Sequence, residues 1–338
     1  TPHSAPEARG HNSLRGQRLN TRKKPLTSTV RGGGDAGHPN MLFRVGLLVA
    51  AVGSTLAPGV DLKRYPINDL SSAAAVELIA KARMSLMEQG VASFPGFLTP
   101  EATETAAYEA RQRAADAFVT DDRHTAWQLP LTSAFAEGHV RNLKMRTRVA
   151  SIAYDEIGPS LRALYTSEMV LRFIEAVVGR APGSMYRLAD PLGACSVNVF
   201  KPGWSHAWHF DEAEYTTTLA LQQAEEGGEF VFTAPLRSGL DALECEQIAA
   251  VLREHSEYTE ADSGARVPSP AVRTAPFEPG TLQVFGGRYC LHKVSATSGT
   301  RDRLVAVLCY ATTPGVVNSP SVQKMFWGRA VPRPGDEA

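Results

Sequence analysis

The chain has 338 residues, 43% of them hydrophobic and 21% charged, a soluble globular composition that excludes a fibrous or wholly disordered protein. Lys+Arg and Asp+Glu balance at 35 each, so no global charge argues for nucleic acid or an anionic membrane surface as a partner. No apolar run reaches the roughly 18–20 residues of a membrane span. The four cysteines, Cys195, Cys245, Cys290 and Cys309, form no C-x-x-C pair, which excludes zinc-ribbon and thioredoxin-type sites and predicts free thiols in a reducing compartment.

Residues 1–40 carry seven Lys/Arg against only Glu7 and Asp35, with few large apolar residues, and such a segment cannot bury a core. It has the Arg-rich, acid-poor character of an organelle transit peptide, and residues 41–52 (MLFRVGLLVAAV) follow as a short signal-type apolar stretch. A frayed extension without an address explains the same residues equally well. Residues 1–64 are therefore read as a disordered or targeting leader, and the compartment stays open.

From about Tyr65 to residue 330 the pattern is that of one domain, helical to about 180 and β-rich from about 181 to 315. Residues 71–89 predict a helix with Val76, Ile79, Ala80, Arg83, Met84 and Met87 as its packed stripe and Gly90 as its stop. VASFPGFL (91–98) reads as a short strand. Thr99 as N-cap, Pro100 in the first helical position and Glu101 in the first turn open a second helix, to about Phe118. Residues 119–158 are mixed and polar and read as a loop region over the domain face. A third helix is expected from about Ser160 to Val178, burying Leu161, Leu164, Tyr165, Phe173, Ile174 and Val177.

Beyond Gly179 the apolar pattern becomes that of strands: CSVNVF (195–200), YTTTLALQ (215–222), EFVFTA (229–234), TLQVFG (281–286), CLHKVSA (290–296) and LVAVLCYAT (304–312). Residues 237–275 form an insertion that holds a helix-like DALECEQIAAVLRE and a polar tail. Helices followed by short, turn-punctuated strands place the chain in the α+β class, mainly β, as a β-sandwich or jelly roll buttressed by N-terminal helices.

The chemistry centres on SHAWHFDE (205–212). His209 and Asp211 are separated by one residue, so on a strand both side chains leave the same face. A third ligand has to come from another strand, and His292 lies 83 residues downstream in CLHKVSA. Two imidazoles and one carboxylate on one side of a metal leave three positions open, the donor set of non-haem Fe(II) oxygenases. Alone, an H-x-D triplet is more often surface chemistry than a metal site, and a histidine in a strand is more often packed core. Arg301 and Arg303, at the start of the apolar strand LVAVLCYAT, strengthen the metal reading. A charge entering a barrel needs a partner, and a guanidinium there could hold a carboxylate in a two-bond fork. Arg303 fits this better because it runs directly into the apolar strand, whereas Arg301 also fits the surface of a turn.

In order, spacing and strand context the chain resembles the Fe(II)/2-oxoglutarate-dependent dioxygenases. It is most similar to the standalone halogenases and hydroxylases of free amino acids such as lysine. The segments that carry this are ADPLGACSVNVF, WHFDEAEYTTTLALQQAEEGGEFVFTAPLR, EPGTLQVFGGRYCLHKVSA, RLVAVLCYATTPG and FWGR, spanning about residues 186–329. The resemblance implies a double-stranded β-helix (a cupin-like jelly roll). It further implies Fe(II) held by His209, Asp211 and His292, 2-oxoglutarate held by Arg303 or Arg301, O2 as oxidant, and ascorbate as an activator in vitro. Halogenases of this branch have Gly or Ala where this chain has Asp211, so hydroxylation with release of succinate and CO2 is implied, and halogenation is not. The implied substrate is a small molecule, a free amino acid of cationic, lysine-like kind, with His206, Glu212 and Trp327 in contact with it. Arg141 and Arg146 are equal candidates for its carboxylate. A 2-oxoglutarate oxygenase acting on another small molecule, and a non-catalytic jelly-roll metal-binding or sensor module, are the alternative readings. The oligomeric state is not legible in the sequence.

Overall fold

The computed structural model describes residues 59–239, 241–255 and 267–332. The first half supplies α1 (Ala73–Gln89), β1 (Val91–Phe94), α2 (Pro100–Arg113), β2 (Phe118–His124), β3 (Met145–Ile152), α3 (Pro159–Thr166) and α4 (Glu168–Val177). It continues with β4 (Tyr186–Arg187), β5 (Cys195–Phe200), β6 (His206–His209), β7 (Thr216–Gln222), β8 (Glu226–Gly227), β9 (Phe230–Thr233) and α5 (Cys245–His255). The last part holds β10 (Val272–Ala275), β11 (Leu282–Phe285), β12 (His292–Val294), β13 (Thr297–Ser298), β14 (Arg303–Leu308), β15 (Tyr310–Ala311) and α6 (Pro320–Trp327).

Two antiparallel sheets form the core. The larger runs β1-β11-β7-β14-β5-β3-β2 and the smaller β10-β9-β12-β6. The chain passes from one sheet to the other between β5, β6, β7 and β9, and again between β11, β12 and β14. That alternation makes the fold a jelly roll, the double-stranded β-helix expected from the sequence. Between the sheets Val91 and Phe285 meet Phe230, Phe232 and Ala275. Helices α1 to α4 pack on the larger sheet in one apolar cluster that includes Leu86, Leu164, Phe173, Val197, Leu219 and Leu304. Ile248, Val251 and Leu252 of α5 cover Trp208, Val231 and Leu291 on the outer side of the smaller sheet. Side-chain alternation along each strand therefore aims His209 and His292 inward while Trp208 and Leu291 face α5. Among the described residues no helix is long and apolar enough to cross a membrane, and all four cysteines are free.

Several local expectations are realised. Thr99 Oγ1 accepts the Ala102 N–H at 3.3 Å and caps α2. Gly90 ends α1 at φ 83°, and a β-carbon on it would overlap Cys290 Sγ, so this stop also fixes the helix against the sheet. Others are corrected. The buried face of α1 is Ala75, Ile79, Ala82 and Leu86, whereas Val76, Met84 and Met87 are exposed. An alanine-rich helix is weakly apolar all round, and the small residues face β1 and α4 because they permit close approach. The helix expected over 160–178 is broken at Ser167, whose ψ of 122° separates α3 from α4. α2 stops at Arg113, short of Phe118.

The largest correction concerns residues 119–158. They contain the β2–β3 hairpin, paired from Phe118↔Ser151 to His124↔Met145, which extends the larger sheet. Charges disguised it: Arg146 clasps Asp121 with two bonds of 2.7 Å across the pair. The insertion 237–275 likewise ends in the sheet, since β10 pairs with β9. The described residues start at Gly59, and Val60, buried, bridges to Leu98, so residues 59–64, expected in the leader, pack with the domain. The transit-type reading of the earlier residues lies outside the described ones.

Candidate metal centre

His209 and His292 stand directly opposite each other on β6 and β12. Asp211 stands two residues after β6, where its N–H donates to Gly287 O at 2.9 Å. Its Oδ1 lies 3.3 Å from His209 Nε2 and 3.4 Å from His292 Nε2. These three groups are also the one His/Cys/Asp/Glu set among the described residues whose ligand atoms lie within 4.8 Å of one another. The other ring nitrogens fix the tautomers: His209 Nδ1 donates to Ala207 O at 2.8 Å and His292 Nδ1 to Cys290 O at 2.9 Å. A carbonyl can only accept, so the Nδ1 atoms carry the protons and both Nε2 lone pairs face the carboxylate.

Three lone-pair donors thus converge on one point. Burial and the neighbouring His292 push the His209 pKa down to about 4 against the pull of Asp211, so no proton bridges His209 and the carboxylate at neutral pH. Burial alone would raise the Asp211 carboxyl, but the charged forms of His292 and His209 beside it hold it well below the ordinary carboxylate range. A cation is the species that satisfies such a set. Thr216 Oγ1 donates to the other carboxylate oxygen of Asp211 at 2.5 Å, which orients Oδ1 toward the imidazoles. Phe285 and Phe230, with ring centroids 5.0 and 5.7 Å from His292, wall that side with apolar surface.

His206 joins the centre by way of a register shift. Val294 pairs with His206 and His292 with His209, so Ala207 and Trp208 of β6 together oppose Lys293 of β12. That bulge turns His206 onto the face of His209, and their rings stack at 3.8 Å and 15°. His124 of β2 sits edge-on to both, at 5.6 and 5.9 Å. Burial holds the pKa of His206 well below the usual imidazole value and lowers that of His124.

Arg303 opens β14 opposite Phe200 and is 4% exposed. Its guanidinium lies 5.3 Å from the ring centres of Phe200 and Phe277, and its NH1 is buried without a hydrogen bond. Burial lowers its pKa to about 10. No carboxylate pairs with it among the described residues. Arg301 is exposed and donates to Gln223 O and Ala224 O.

The remaining candidates separate. Glu212 is exposed, and Arg288 bonds its carbonyl. Trp327 rests against Gly193, where a β-carbon would stand 2.7 Å from Cη2, and its indole Nε1 is buried without a partner. α6 is docked by Asp190, whose carboxylate accepts Leu192 N, Gly193 N, Asn318 N and Gln323 Nε2 at 2.6–2.9 Å. Arg141 is buried over Trp127 and donates to Pro130 O at 3.2 Å. Arg146 points with Arg148 to the face opposite Thr147, and Asp121 takes it there. His124, Thr147, Thr216 and Gly287 were not found from the sequence. Of these only His124 left a signal, as the last residue of a charged but alternating stretch, FVTDDRH.

No protein-family model and no curated protein matches the chain. Among solved structures it is similar to a 2OG-Fe(II) oxygenase family oxidoreductase from Burkholderia pseudomallei, at 16% identity over 70% of this chain and 92% of that one, with a TM-score of 0.42. It is similar to a prolyl-4-hydroxylase from Pseudomonas putida at 14% identity, over 68% and 96% of the two chains, TM-score 0.39. HygX from Streptomyces hygroscopicus, solved with nickel, 2-oxoglutarate and hygromycin B bound, gives 9% identity over 73% and 95%, TM-score 0.44.

Proposed function

We propose that the chain is an Fe(II)- and 2-oxoglutarate-dependent oxygenase that hydroxylates a small molecule, with a free amino acid as the first substrate class. The observation that carries this is the convergence of His209 Nε2, His292 Nε2 and Asp211 Oδ1 with both Nδ1 protons held by carbonyls. This donor set suits ferrous iron and leaves positions open. The orphaned NH1 of buried Arg303 supports an anionic co-substrate, because a guanidinium fork matches a carboxylate. Ferrous iron with 2-oxoglutarate and O2 supplies oxidation of an unactivated C–H bond, with succinate and CO2 as co-products.

The chain's own residues do the rest. His209, His292 and Asp211 would hold the metal, and Thr216 keeps the carboxylate turned toward it. Asp211 would take up a metal position that a halide would need, which favours hydroxylation over halogenation. Phe230 and Phe285 keep water from the His292 side. His206 and Trp327 are the proposed substrate contacts, supported by the stacking of His206 on His209 and by the unpartnered indole N–H. Arg146 is engaged with Asp121 and Arg141 with its own loop, so a substrate carboxylate has less support at either.

Incubation with Fe(II), ascorbate, O2 and 2-oxoglutarate across a panel of free amino acids tests the reading. Succinate release with a product heavier by one oxygen atom is expected. Metal uptake without succinate would leave a binding module, and a chlorinated product would overturn the role given to Asp211.

A further inference from the structure

The ligand-bearing strand β6 is four residues long, bulged, and the outer strand of the smaller sheet, so that sheet holds it on one side only. We propose that Gln128 and Thr147 are positioning residues that clamp the other side of β6 and thereby set where His209 and Asp211 stand. The inference rests on the metal-site reading above.

The free side of β6 is met by main-chain and side-chain groups of residues 124–148. Arg148 N–H donates to Ser205 O at 2.9 Å, and Phe210 N–H donates to Ala126 O at 2.8 Å. Gln128 Nε2 donates to Phe210 O at 2.9 Å, and Ala207 N–H donates to Thr147 Oγ1 at 3.1 Å. Phe210 lies between the two ligands, so holding both its N–H and its carbonyl fixes the peptides on either side of it.

The Thr147 hydroxyl is directional. His124 Nδ1 donates to Thr125 O at 3.0 Å, which leaves His124 Nε2 as an acceptor, and the Thr147 proton goes to it over 2.6 Å. The oxygen of Thr147 then faces Ala207 N–H, and the Ala207 carbonyl receives the Nδ1 proton of His209. Thr147 is 2% exposed, so no water competes for these bonds.

Gln128 adopts φ 55°, a left-handed backbone uncommon for a residue with a side chain. Gln128 N–H donates to Thr125 O at 2.9 Å and closes the turn. Glycine would fit this turn without strain but could not reach Phe210. A left-handed residue whose side-chain amide holds the carbonyl of Phe210, between the two ligands, fits a positioning role.

Titration of the metal-free protein with Co(II), followed by calorimetry and by the visible bands of the bound ion, tests the clamp. Gln128→Gly removes the amide while relaxing the backbone, so its thermal midpoint should hold or rise. Thr147→Val removes the hydroxyl at nearly constant shape, and Thr147→Ser restores it. Co(II) affinity should fall about 10-fold or more in Gln128→Gly and Thr147→Val, with shifted bands, and recover in Thr147→Ser, as loss of a ligand's supporting partner typically costs about 10–100-fold. Unchanged affinity and bands in both variants, beside a wild type that binds Co(II), overturn the clamp and leave the metal centre standing. A wild type that takes up no Co(II) overturns the centre and the clamp with it.

Discussion

Gly287 lies against Asp211: a β-carbon at Gly287 would overlap Asp211 Oδ2 and stand 2.7 Å from Thr216 Oγ1, the donor that orients that carboxylate. Gly287→Ala should therefore displace the carboxylate and weaken Co(II) or Fe(II) binding at least tenfold. Overpacking of this kind should cost about 1–3 kcal/mol of stability, read by denaturant titration. Gly286→Ala is the control, since its β-carbon would meet Tyr289 Cδ2 at 3.3 Å and no group of the triad. Metal affinity of Gly287→Ala equal to wild type would remove Asp211 from the ligand set.

Arg303 is a buried charge with no carboxylate partner among the described residues, and this has a two-sided consequence. Replacing it with methionine removes an unpaired buried charge, so Arg303→Met should be at least as stable as wild type without co-substrate. Its gain from 2-oxoglutarate should vanish. In the wild type that gain is about 2.7 kcal/mol at a ligand concentration a hundredfold above Kd. Thermal melts with and without 2-oxoglutarate, in the presence of metal, measure both effects. An undiminished gain in the variant would move the co-substrate carboxylate elsewhere.

Acid should destabilise the metal-free fold over a defined window. His209, His206 and His124 have folded pKa values below the ordinary 6.5 because burial disfavours the charged ring, with His209 at about 4. A base with a lowered folded pKa binds fewer protons folded than unfolded. Protonation of the unfolded chain below about pH 6.5 therefore pulls the equilibrium toward unfolding until the folded pKa is passed. Asp211 adds to the loss below about pH 3.8, its ordinary value, because its folded pKa lies lower still. Each unit of depression corresponds to about 1.4 kcal/mol at the acid end of its window. The melting temperature of the apoprotein should fall steadily from pH 7 to pH 5, and a flat profile would show that these rings are not buried as neutral species.

Arg146 supplies a negative test. Its fork with Asp121 lies on an exposed face, so Arg146→Ala should leave metal affinity, 2-oxoglutarate binding and stability unchanged within error. A clear rise in KM for the substrate, once one is identified, would restore it to the site.

The convergence of His209, Asp211 and His292 was legible because its geometry is local: H-x-D sets two side chains on one face, and His292 sits in a short apolar strand. The jelly roll was legible from the run of short strands after Gly179. The stacking of His206 on His209 was not, because strict alternation sends residues three apart to opposite faces, and only the pairing of β6 with β12 creates the bulge. The β2–β3 hairpin hid behind Asp121, Arg146 and Arg148, charges that pair across strands at an exposed surface. Gln128 had no local signal, since nothing in the residues around it announces a left-handed backbone. The face of α1 was misread because Val76 and Met84 are larger than the alanines that pack.

His209, His292 and Asp211 are proposed to bind iron with co-substrate alongside. Anaerobic addition of Fe(II) and 2-oxoglutarate to the purified protein measures it most directly, through the weak visible charge-transfer band of the chelate. That band is expected in the wild type and should be lost when both His209 and His292 are replaced by alanine. A wild-type protein that shows no band with both components in excess would contradict the assignment.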